Sequence, residues 1–234
     1  MGFRVTKAVL FDLGDTLFRL NPMAEVTDDF AAFLAGAGEG DPETEAMRVI
    51  ETLRERMMAG YGRGQLDEPR IAEIVRPFVT NAALADRVAE HLDALLGEAD
   101  VARWEAFDRA VVFDALRSRG IRAGFVSNTL TSSAVMRRRL AEFELLSHAE
   151  VAVFSVEHRV RKPNPEIYRV ALRALGIEPT EVVFVGDRVR EDVRGPQALG
   201  MRAVLTHEFR QEDPADSGPL AVIPRLEDVL AVLD

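Results

Sequence analysis

The sequence predicts an α/β fold, in which a doubly wound parallel sheet carries an inserted all-helical segment. Short apolar runs alternate with helix-length segments along most of the chain, and this alternation is typical of parallel strands joined by helices. One long stretch, residues 20–106, has only helical periodicity. With 234 residues, 47% of them hydrophobic, the chain suffices for one substantial core and a small second domain.

The predicted strands are short apolar runs that would be buried on both faces of the sheet. The first comprises residues 5–11 and is ended by Asp12 and Gly14. Four later runs have the same form: residues 124–127, 151–155, 182–185 and 203–206.

The predicted helices between these runs are residues 109–119, 132–143, 165–175 and 191–199. Three of them are followed by a glycine, the residue that most often ends a helix: Gly120, Gly176 and Gly200. Strand and helix thus alternate, which favours a parallel, doubly wound sheet. Residues 211–219 are a polar loop before a last apolar pair and a short C-terminal helix.

The insert after the first strand predicts a bundle of helices. Two apolar stripes recur at spacings of three and four, which is typical of the buried face of a helix. The first follows Asp41 and Pro42, a suitable cap and first helical residue, and consists of Met47, Ile50, Leu53 and Met57. The second consists of Leu84, Val88, Leu92, Leu95 and Leu96. We therefore expect a core of residues 1–18 and 107–234 and a helical domain of residues 19–106.

Composition disfavours several classes of partner and site. The chain has 29 Lys and Arg against 39 Asp and Glu, and its net charge of -10 disfavours nucleic acid as a partner. It has no cysteine, and its four histidines lack metal-ligand spacing, so oxygen atoms would have to bind any metal. No apolar run approaches the ~20 residues that span a membrane, and Asp12 and Asp15 interrupt the N-terminal apolar stretch, unlike a signal peptide. We expect a cytoplasmic protein with no membrane contact.

Polar residues follow four predicted strands, at the edge where open parallel sheets bind ligands. In chain order they are Asp12, Ser127 with Asn128, Lys162, and Asp187 with Asp192. Each alone is a weak signal, because an aspartate or a Ser-Asn pair after a strand is commonly a cap or turn residue. Together they predict one site.

The chemistry of this site follows from its charges. Three converging carboxylates, those of Asp12, Asp187 and Asp192, would repel one another and an anionic phosphoryl group unless they hold a cation such as Mg²⁺. Lys162, one of only two lysines in the chain, would neutralise the phosphoryl oxygens, with the Ser127 hydroxyl as a further donor. Asp12 would then attack phosphorus and form an aspartyl-phosphate.

This ordered set resembles the four motifs of the haloacid dehalogenase superfamily, and the resemblance covers nearly the whole chain. The matching residues are Asp12 with Thr16, Ser127, Lys162, and Asp187 with Asp192. The resemblance implies a Rossmann-like core, a nucleophilic Asp12 and bound Mg²⁺. The metal ligands would be the three aspartates and the backbone carbonyl of Gly14. It also implies that residues 19–106 are the family's small helical cap, which closes over small phosphorylated substrates, in a monomer or a homodimer.

One position departs from the family pattern. Family phosphatases usually carry a second aspartate two residues after the nucleophile, which protonates the leaving group and activates water; here that residue is Gly14. Asp15 is the obvious substitute, although it is also a common turn residue. General acid–base catalysis contributes about 10² to 10⁴ in rate, whereas positioning and electrostatic stabilisation provide most of the acceleration of phosphoryl transfer. We expect a Mg²⁺-dependent phosphatase that is slow or restricted to good leaving groups.

Two alternatives remain open. A haloacid-type dehalogenase needs no acid, because halide leaves without a proton, but the family's dehalogenases typically replace the pair that this chain keeps as Gly186 and Asp187. A non-catalytic protein that binds a phosphorylated ligand or a partner is supported by Gly14 alone. The family's phosphonatase branch uses a cap lysine to form a Schiff base. That chemistry is disfavoured here, since no lysine lies between residues 17 and 109.

Three residues are expected to contact the substrate: Thr16, Asn128 and Arg63. Arg63 lies with Tyr61 in a glycine-rich segment, residues 60–64, that is either a loop over the site or a solvated connector. Arg188, next to the last strand-end aspartate, is either a substrate contact or a surface residue at a helix start.

Overall fold

The computed structural model describes residues 5–20, 26–37, 41–62, 64, 66–79, 82–105 and 109–233 of the chain. Its strands are β1 (Ala8–Phe11), β2 (Arg19–Leu20), β3 (Trp104–Glu105), β4 (Arg122–Ser127), β5 (Val151–Phe154), β6 (Val182–Gly186), β7 (Arg202–Thr206) and β8 (Ala221–Ile223). Its α-helices are α1 (Thr27–Ala37), α2 (Pro42–Gly62), α3 (Ile71–Val75), α4 (Ala82–Arg103), α5 (Ala110–Ser118), α6 (Ser133–Glu142), α7 (Ser155–His158), α8 (Pro165–Leu175) and α9 (Gly195–Gln197). Short 3₁₀ helices occupy Arg76–Phe78, Leu146–His148, Pro179–Glu181 and Leu226–Ala231, and a π-helical turn occupies Val189–Arg194.

Six parallel strands form the central sheet, in the order β5-β4-β1-β6-β7-β8. β1 lies inside the sheet, with Phe11 opposite Phe125 of β4 and Val185 of β6. Successive residues of β1 face opposite sides of the sheet, since Phe11 packs in a cluster that includes α5 and Leu10 in a second cluster that includes α8. Helices therefore cover both faces, and the predicted doubly wound α/β fold is confirmed.

The ends of two helices carry the predicted capping residues. α8 has the predicted bounds: the side chain of Asn164 accepts a hydrogen bond from the Glu166 N–H at 3.0 Å, and Gly176 ends the helix with a φ of 62°. α2 begins directly after Asp41, whose carboxylate accepts a hydrogen bond from the Thr44 N–H at 3.4 Å. Local capping chemistry therefore identified both boundaries.

Two regions of the core differ from the prediction. Residues 221–223 form β8, a sixth strand beside β7, where the sequence predicted only an apolar pair. Three residues, with Val222 41% exposed, are too few for a strand period to be recognised. The single helix predicted for residues 191–199 is replaced by the π-helical turn and α9. Pro196 lacks the N–H that a continuous α-helix would need there.

The inserted segment contains α1 to α4, and its buried residues form a cluster of their own, which Leu130 joins from the sheet side. The predicted stripe on α4 is confirmed at Val88 and Leu92, which are fully buried. β2 and β3 pair antiparallel, with Leu20 opposite Trp104. The sequence predicted no strand in this segment, because two residues have no recognisable period. The domain boundaries, residues 1–18 and 107–234 for the core and 19–106 for a cap, stay a prediction.

The predicted stripe on α2 is only partly right. Ile50 is 2% exposed, but Met47 is 54% and Met57 37% exposed. The buried face of α2 includes Ala46 and Val49 instead. Their smaller side chains allow a closer approach of the neighbouring helices, which the spacing of the larger apolar residues did not indicate.

Among the described residues, no helix combines the length and the apolar character that a membrane span requires.

Two alanine substitutions on the same helix test this burial pattern. Ile50→Ala removes packed side-chain volume and is expected to lower the free energy of unfolding by about 2–5 kcal/mol. Met47→Ala, on the exposed face, is expected to change it by less than about 0.5 kcal/mol. Urea denaturation followed by circular dichroism measures both. Equal effects of the two substitutions would contradict the burial of the Ile50 face of α2.

Candidate active site

The carboxyl ends of three neighbouring strands bring polar side chains together. Asp12 directly follows β1, and its N–H donates to the Val185 carbonyl at 2.9 Å, so the pairing of β1 with β6 continues to this residue. Asp187 directly follows β6, and Ser127 is the last residue of β4. All three polar side chains are buried. The predicted convergence at one sheet edge is therefore observed for these residues.

Lys162 bridges the carboxylates at this edge. Its Nζ lies 2.7 Å from Asp12 Oδ1 and 2.7 Å from Asp192 Oδ1, and the lysine is 2% exposed. One ligand oxygen each from Asp12, Asp187 and Asp192 all lie within 4.8 Å of one another. We call these three aspartates the carboxylate cluster.

The ionisation of the carboxylate cluster reflects its burial. Burial raises the pKa of Asp192 to about 7; the Lys162 charge opposes this shift and the Asp12 charge adds to it. Burial also raises the pKa of Asp187 well above its ordinary value, and the other two aspartates add to the effect. Burial disfavours the charge of Lys162, but its two carboxylate partners raise its pKa above the ordinary lysine value. With Lys162 as the bridging cation, full ionisation of all three carboxylates is therefore unfavourable.

Asn128 holds the backbone of Lys162 in place. Its Oδ1 accepts a hydrogen bond from the Lys162 N–H at 2.7 Å, and its Nδ2 donates to the Lys162 carbonyl at 3.2 Å. Both ends of the side-chain amide are thus used within the protein. A direct contact of Asn128 with substrate stays a prediction.

Asp192 packs directly on the backbone at the end of β6. A Cβ atom at Gly186 would lie 2.3 Å from Asp192 Cγ, so a residue with a side chain would displace this carboxylate. The Asp192 carboxylate accepts a hydrogen bond from the Arg188 N–H at 3.0 Å, and the Asp192 N–H donates to the Arg188 carbonyl at 2.7 Å. Glycine at position 186 therefore has a steric reason, in addition to the chemical role expected of the aspartates in the last motif.

Arg210, a residue that the sequence did not indicate, lies against the other side of the cluster. Its Nε is 2.8 Å from Asp187 Oδ2, although the angle does not give a hydrogen bond, and its Nη2 is 3.6 Å from Asp15 Oδ2.

The Thr16 hydroxyl donates to Asp187 Oδ1 at 3.5 Å. Asp15 has a φ of 55° in the turn that follows Gly14. Substrate binding by Thr16, metal binding by the Gly14 carbonyl and acid–base catalysis by Asp15 stay predictions.

The C-terminal end of α2 lies against the core beside this site. The predicted loop at residues 60–64 begins later than expected, because α2 continues to Gly62. Arg190 Nη1 donates to the carbonyls of Gly60 and Tyr61, at 3.1 and 3.4 Å, which a helix end leaves without helical partners. A Cβ at Gly60 would lie 2.1 Å from the Arg161 guanidinium, so glycine allows this contact. Arg63, predicted to contact substrate, lies outside the described residues.

Two arginines of the core lie on Tyr61. The guanidinium carbon of Arg161 is 4.6 Å and that of Arg188 is 4.0 Å from the centre of the Tyr61 ring. Such contacts between a cation and an aromatic face are attractive. The aromatic ring of the insert is thus fixed by the two loops of the core that also carry Lys162 and Asp187.

The insert also contributes a buried acid that the sequence did not indicate. Glu68 is 1% exposed; its Oε1 is 3.5 Å from the Arg161 guanidinium, and its Oε2 accepts a hydrogen bond from the Ser155 hydroxyl at 2.6 Å. Burial raises the pKa of Glu68, and Arg161 opposes the shift. Glu68 and Arg161 are far apart in the sequence, and no periodicity predicts such a contact.

Comparison with known proteins agrees with the geometry of the site. A family model for haloacid dehalogenase-like hydrolases matches residues 6–200. Phosphoserine phosphatase of Thermus thermophilus is 34% identical over 122 residues, 51% of this chain and 48% of the relative, so that match spans about half of each chain. Glyceraldehyde 3-phosphate phosphatase of Methanopyrus kandleri is 29% identical over 212 residues, 88% of this chain and 86% of the relative.

The fold is also found among solved structures. A 2-haloacid dehalogenase from Pseudomonas syringae pv. Tomato DC3000 superimposes with a TM-score of 0.71 at 23% identity, and the match covers 98% of both chains. At this identity the likeness concerns the fold alone. The family match extends from β1 to the last motif, and it confirms the resemblance that the four motifs indicated. The chain belongs to the haloacid dehalogenase-like hydrolases.

Proposed function

We propose that the chain is a Mg²⁺-dependent phosphatase that acts on a small phosphorylated metabolite through an aspartyl-phosphate on Asp12. The observation that carries this proposal is the position of Lys162, whose Nζ is 2.7 Å from one oxygen of Asp12 and 2.7 Å from one of Asp192. A carboxylate next to a fixed ammonium group suits attack on an anionic phosphoryl group, because the ammonium offsets the charge of the phosphoryl oxygens.

The residues of the carboxylate cluster fit a divalent cation. Three buried carboxylates offer oxygens within 4.8 Å of one another, and Asp187 Oδ2 makes no hydrogen bond. Hard oxygen ligands in this number suit Mg²⁺, which keeps water in its remaining positions. Asp12, Asp187, Asp192 and the Gly14 carbonyl are the proposed ligands. When bound, the ion would neutralise the carboxylates and polarise the phosphoryl oxygens.

The protein's own residues would act in two steps. First, an Asp12 oxygen attacks phosphorus and the bond from phosphorus to the ester oxygen breaks, while Lys162 and the Ser127 hydroxyl contact the phosphoryl oxygens. Second, water attacks the aspartyl-phosphate, which releases phosphate and restores the carboxylate. Because Gly14 carries no acid, the departing oxygen must take its proton from water or from Asp15. We therefore expect slow turnover of esters with poor leaving groups.

The named relatives support a phosphatase. Both are phosphatases of small phosphorylated molecules by their names, phosphoserine phosphatase and glyceraldehyde 3-phosphate phosphatase. Residues 19–106 would act as the cap over the core, and Tyr61 of this segment already lies on core arginines. A monomer or a homodimer suits this architecture equally.

A haloacid-type dehalogenase is the second candidate. Gly14 supplies no acid, and halide needs none because it leaves without a proton. The two aspartates of the last motif count against it: Asp187 and Asp192 are both buried in the cluster, and carbon–halogen hydrolysis gives them no role.

Asp12→Asn tests the nucleophile, since it replaces the nucleophilic carboxylate with an uncharged amide of the same shape. We expect hydrolysis of p-nitrophenyl phosphate in Mg²⁺ to fall by about 10⁴ or more, and removal of Mg²⁺ by a chelator to abolish the wild-type activity. Asp216→Asn, whose side chain is 90% exposed, is the matched control and should keep the wild-type rate. An Asp12→Asn protein that retained most of the activity would exclude a covalent intermediate at this residue. A folded wild type without turnover would favour the non-catalytic alternative.

Gly14→Asp tests the missing acid by supplying it. Gly14 is not among the described glycines with positive φ, so aspartate meets no backbone strain there. We expect the rate on alkyl phosphates to rise by about 10²–10⁴, and the rate on aryl phosphates to rise less, because aryl leaving groups need little protonation. Gly36→Asp, at an open position of α1, is the matched control. If the ratio of alkyl to aryl rates is the same in Gly14→Asp and wild type, the absence of the acid does not limit this enzyme.

A further inference from the structure

Arg188 lies at the rim of the carboxylate cluster, between the sheet edge and the end of α2. It directly follows Asp187, and its N–H donates to Asp192 Oδ2 at 3.0 Å, which fixes its backbone beside the site. Its guanidinium carbon lies over the ring of Tyr61, 4.0 Å from the ring centre. An aromatic face, rather than an acid, therefore holds this side chain.

The other arginines around the site have acidic partners. Their shortest ion pairs are Arg161 with Glu68 at 3.5 Å, Arg190 with Glu191 at 3.1 Å and Arg210 with Asp187 at 2.8 Å. Within the described ranges, no carboxylate forms an ion pair with Arg188. A guanidinium group stays protonated in proteins, so Arg188 keeps its positive charge. An anionic ligand would therefore meet in Arg188 a fixed cation that has no acid among the described residues in direct contact.

The Tyr61 hydroxyl is affected by the charges of the site. Burial raises the pKa of the Tyr61 hydroxyl, Arg161 and Arg188 lower it, and the charge of Asp12 raises it further. The stacked pair of Tyr61 and Arg188 lies next to the carboxylate cluster, because Arg188 directly follows Asp187 and its N–H donates to Asp192.

We infer that Arg188 binds a carboxylate on the leaving group, so that the substrate is a phosphomonoester of a small hydroxy acid. This inference rests on the proposed phosphatase and adds its substrate class. With one face against Tyr61, the planar guanidinium keeps its edge N–H groups for two parallel hydrogen bonds to a carboxylate. Without this cation, a second negative group on the substrate would be repelled by the carboxylate cluster.

Two phosphonates of nearly equal shape test the inference without turnover. In 3-phosphonopropionate a carboxylate stands where propylphosphonate has a methyl group. Calorimetric titration in Mg²⁺ should show that the wild type binds the carboxylated ligand about 10- to 100-fold more tightly, the value of a charged hydrogen-bonded pair. Arg188→Gln should reduce this ratio to near one, and Arg188→Lys should restore part of it. Arg194→Gln, which removes an arginine paired with Asp216 at 2.8 Å on the surface, is the matched control and should keep the wild-type ratio.

The outcomes separate this inference from the proposed function. Equal affinity of the wild type for both phosphonates, or an unchanged ratio in Arg188→Gln, overturns the role of Arg188 while the phosphoryl site stands. If a folded wild type binds neither phosphonate in Mg²⁺, the phosphoryl site itself fails and this inference fails with it. Thermal denaturation of each variant establishes that it is folded, and Arg188→Lys supplies a second variant should Arg188→Gln unfold.

Discussion

The constraint on which this structure depends is the burial of three carboxylates at one edge of the sheet. At an effective dielectric constant of about 20, two like charges about 5 Å apart repel each other by about 3 kcal/mol. An exposed ion pair contributes only about 0–1 kcal/mol, so surface compensation cannot offset three such repulsions. The cluster needs buried cations. Lys162, 2% exposed, supplies one, and Arg210 supplies part of another. The repulsion that remains, which the raised pKa values of Asp187 and Asp192 reflect, is the physical argument for a bound divalent metal.

The neighbouring residues serve to keep that arrangement fixed. Asn128 binds both polar groups of the Lys162 backbone, so the ammonium is held by the chain behind it as well as by its carboxylate partners. The lack of a side chain at Gly186 lets Asp192 lie on the strand. Asp12 is held by the continuation of the sheet itself, through its hydrogen bond to β6. Central strands thus provide the rigidity that a preorganised electrostatic site needs.

The insert is attached where the chemistry is expected. Arg190 donates to the last carbonyls of α2, and Tyr61 is stacked on Arg161 and Arg188. These contacts link a helical segment to the loops after β5 and β6, which carry Lys162 and the last motif. The proposed cap therefore rests on the same loops as the proposed phosphoryl site.

The sequence predicted the parts of the site that lie next to strands, because a buried strand is visible as an apolar run and the residue that ends it is visible as a polar one. Asp12, Ser127 and Asp187 are of this kind. It did not predict Arg210 or Glu68, whose roles depend on chain segments that meet only in the folded protein. β8 and the exposed Met47 were missed for a different reason: a strand of three residues has no recognisable period, and apolar spacing alone does not show which of two neighbouring helix faces is buried.

The most direct test of the central claim is fluorine NMR of the wild type with beryllium fluoride, which binds aspartate oxygens as a phosphoryl mimic. We predict protein-bound fluorine signals that require Mg²⁺ and that disappear in Asp12→Asn. Bound signals of equal intensity without Mg²⁺, or in Asp12→Asn, would contradict a metal-assisted nucleophile at the end of β1.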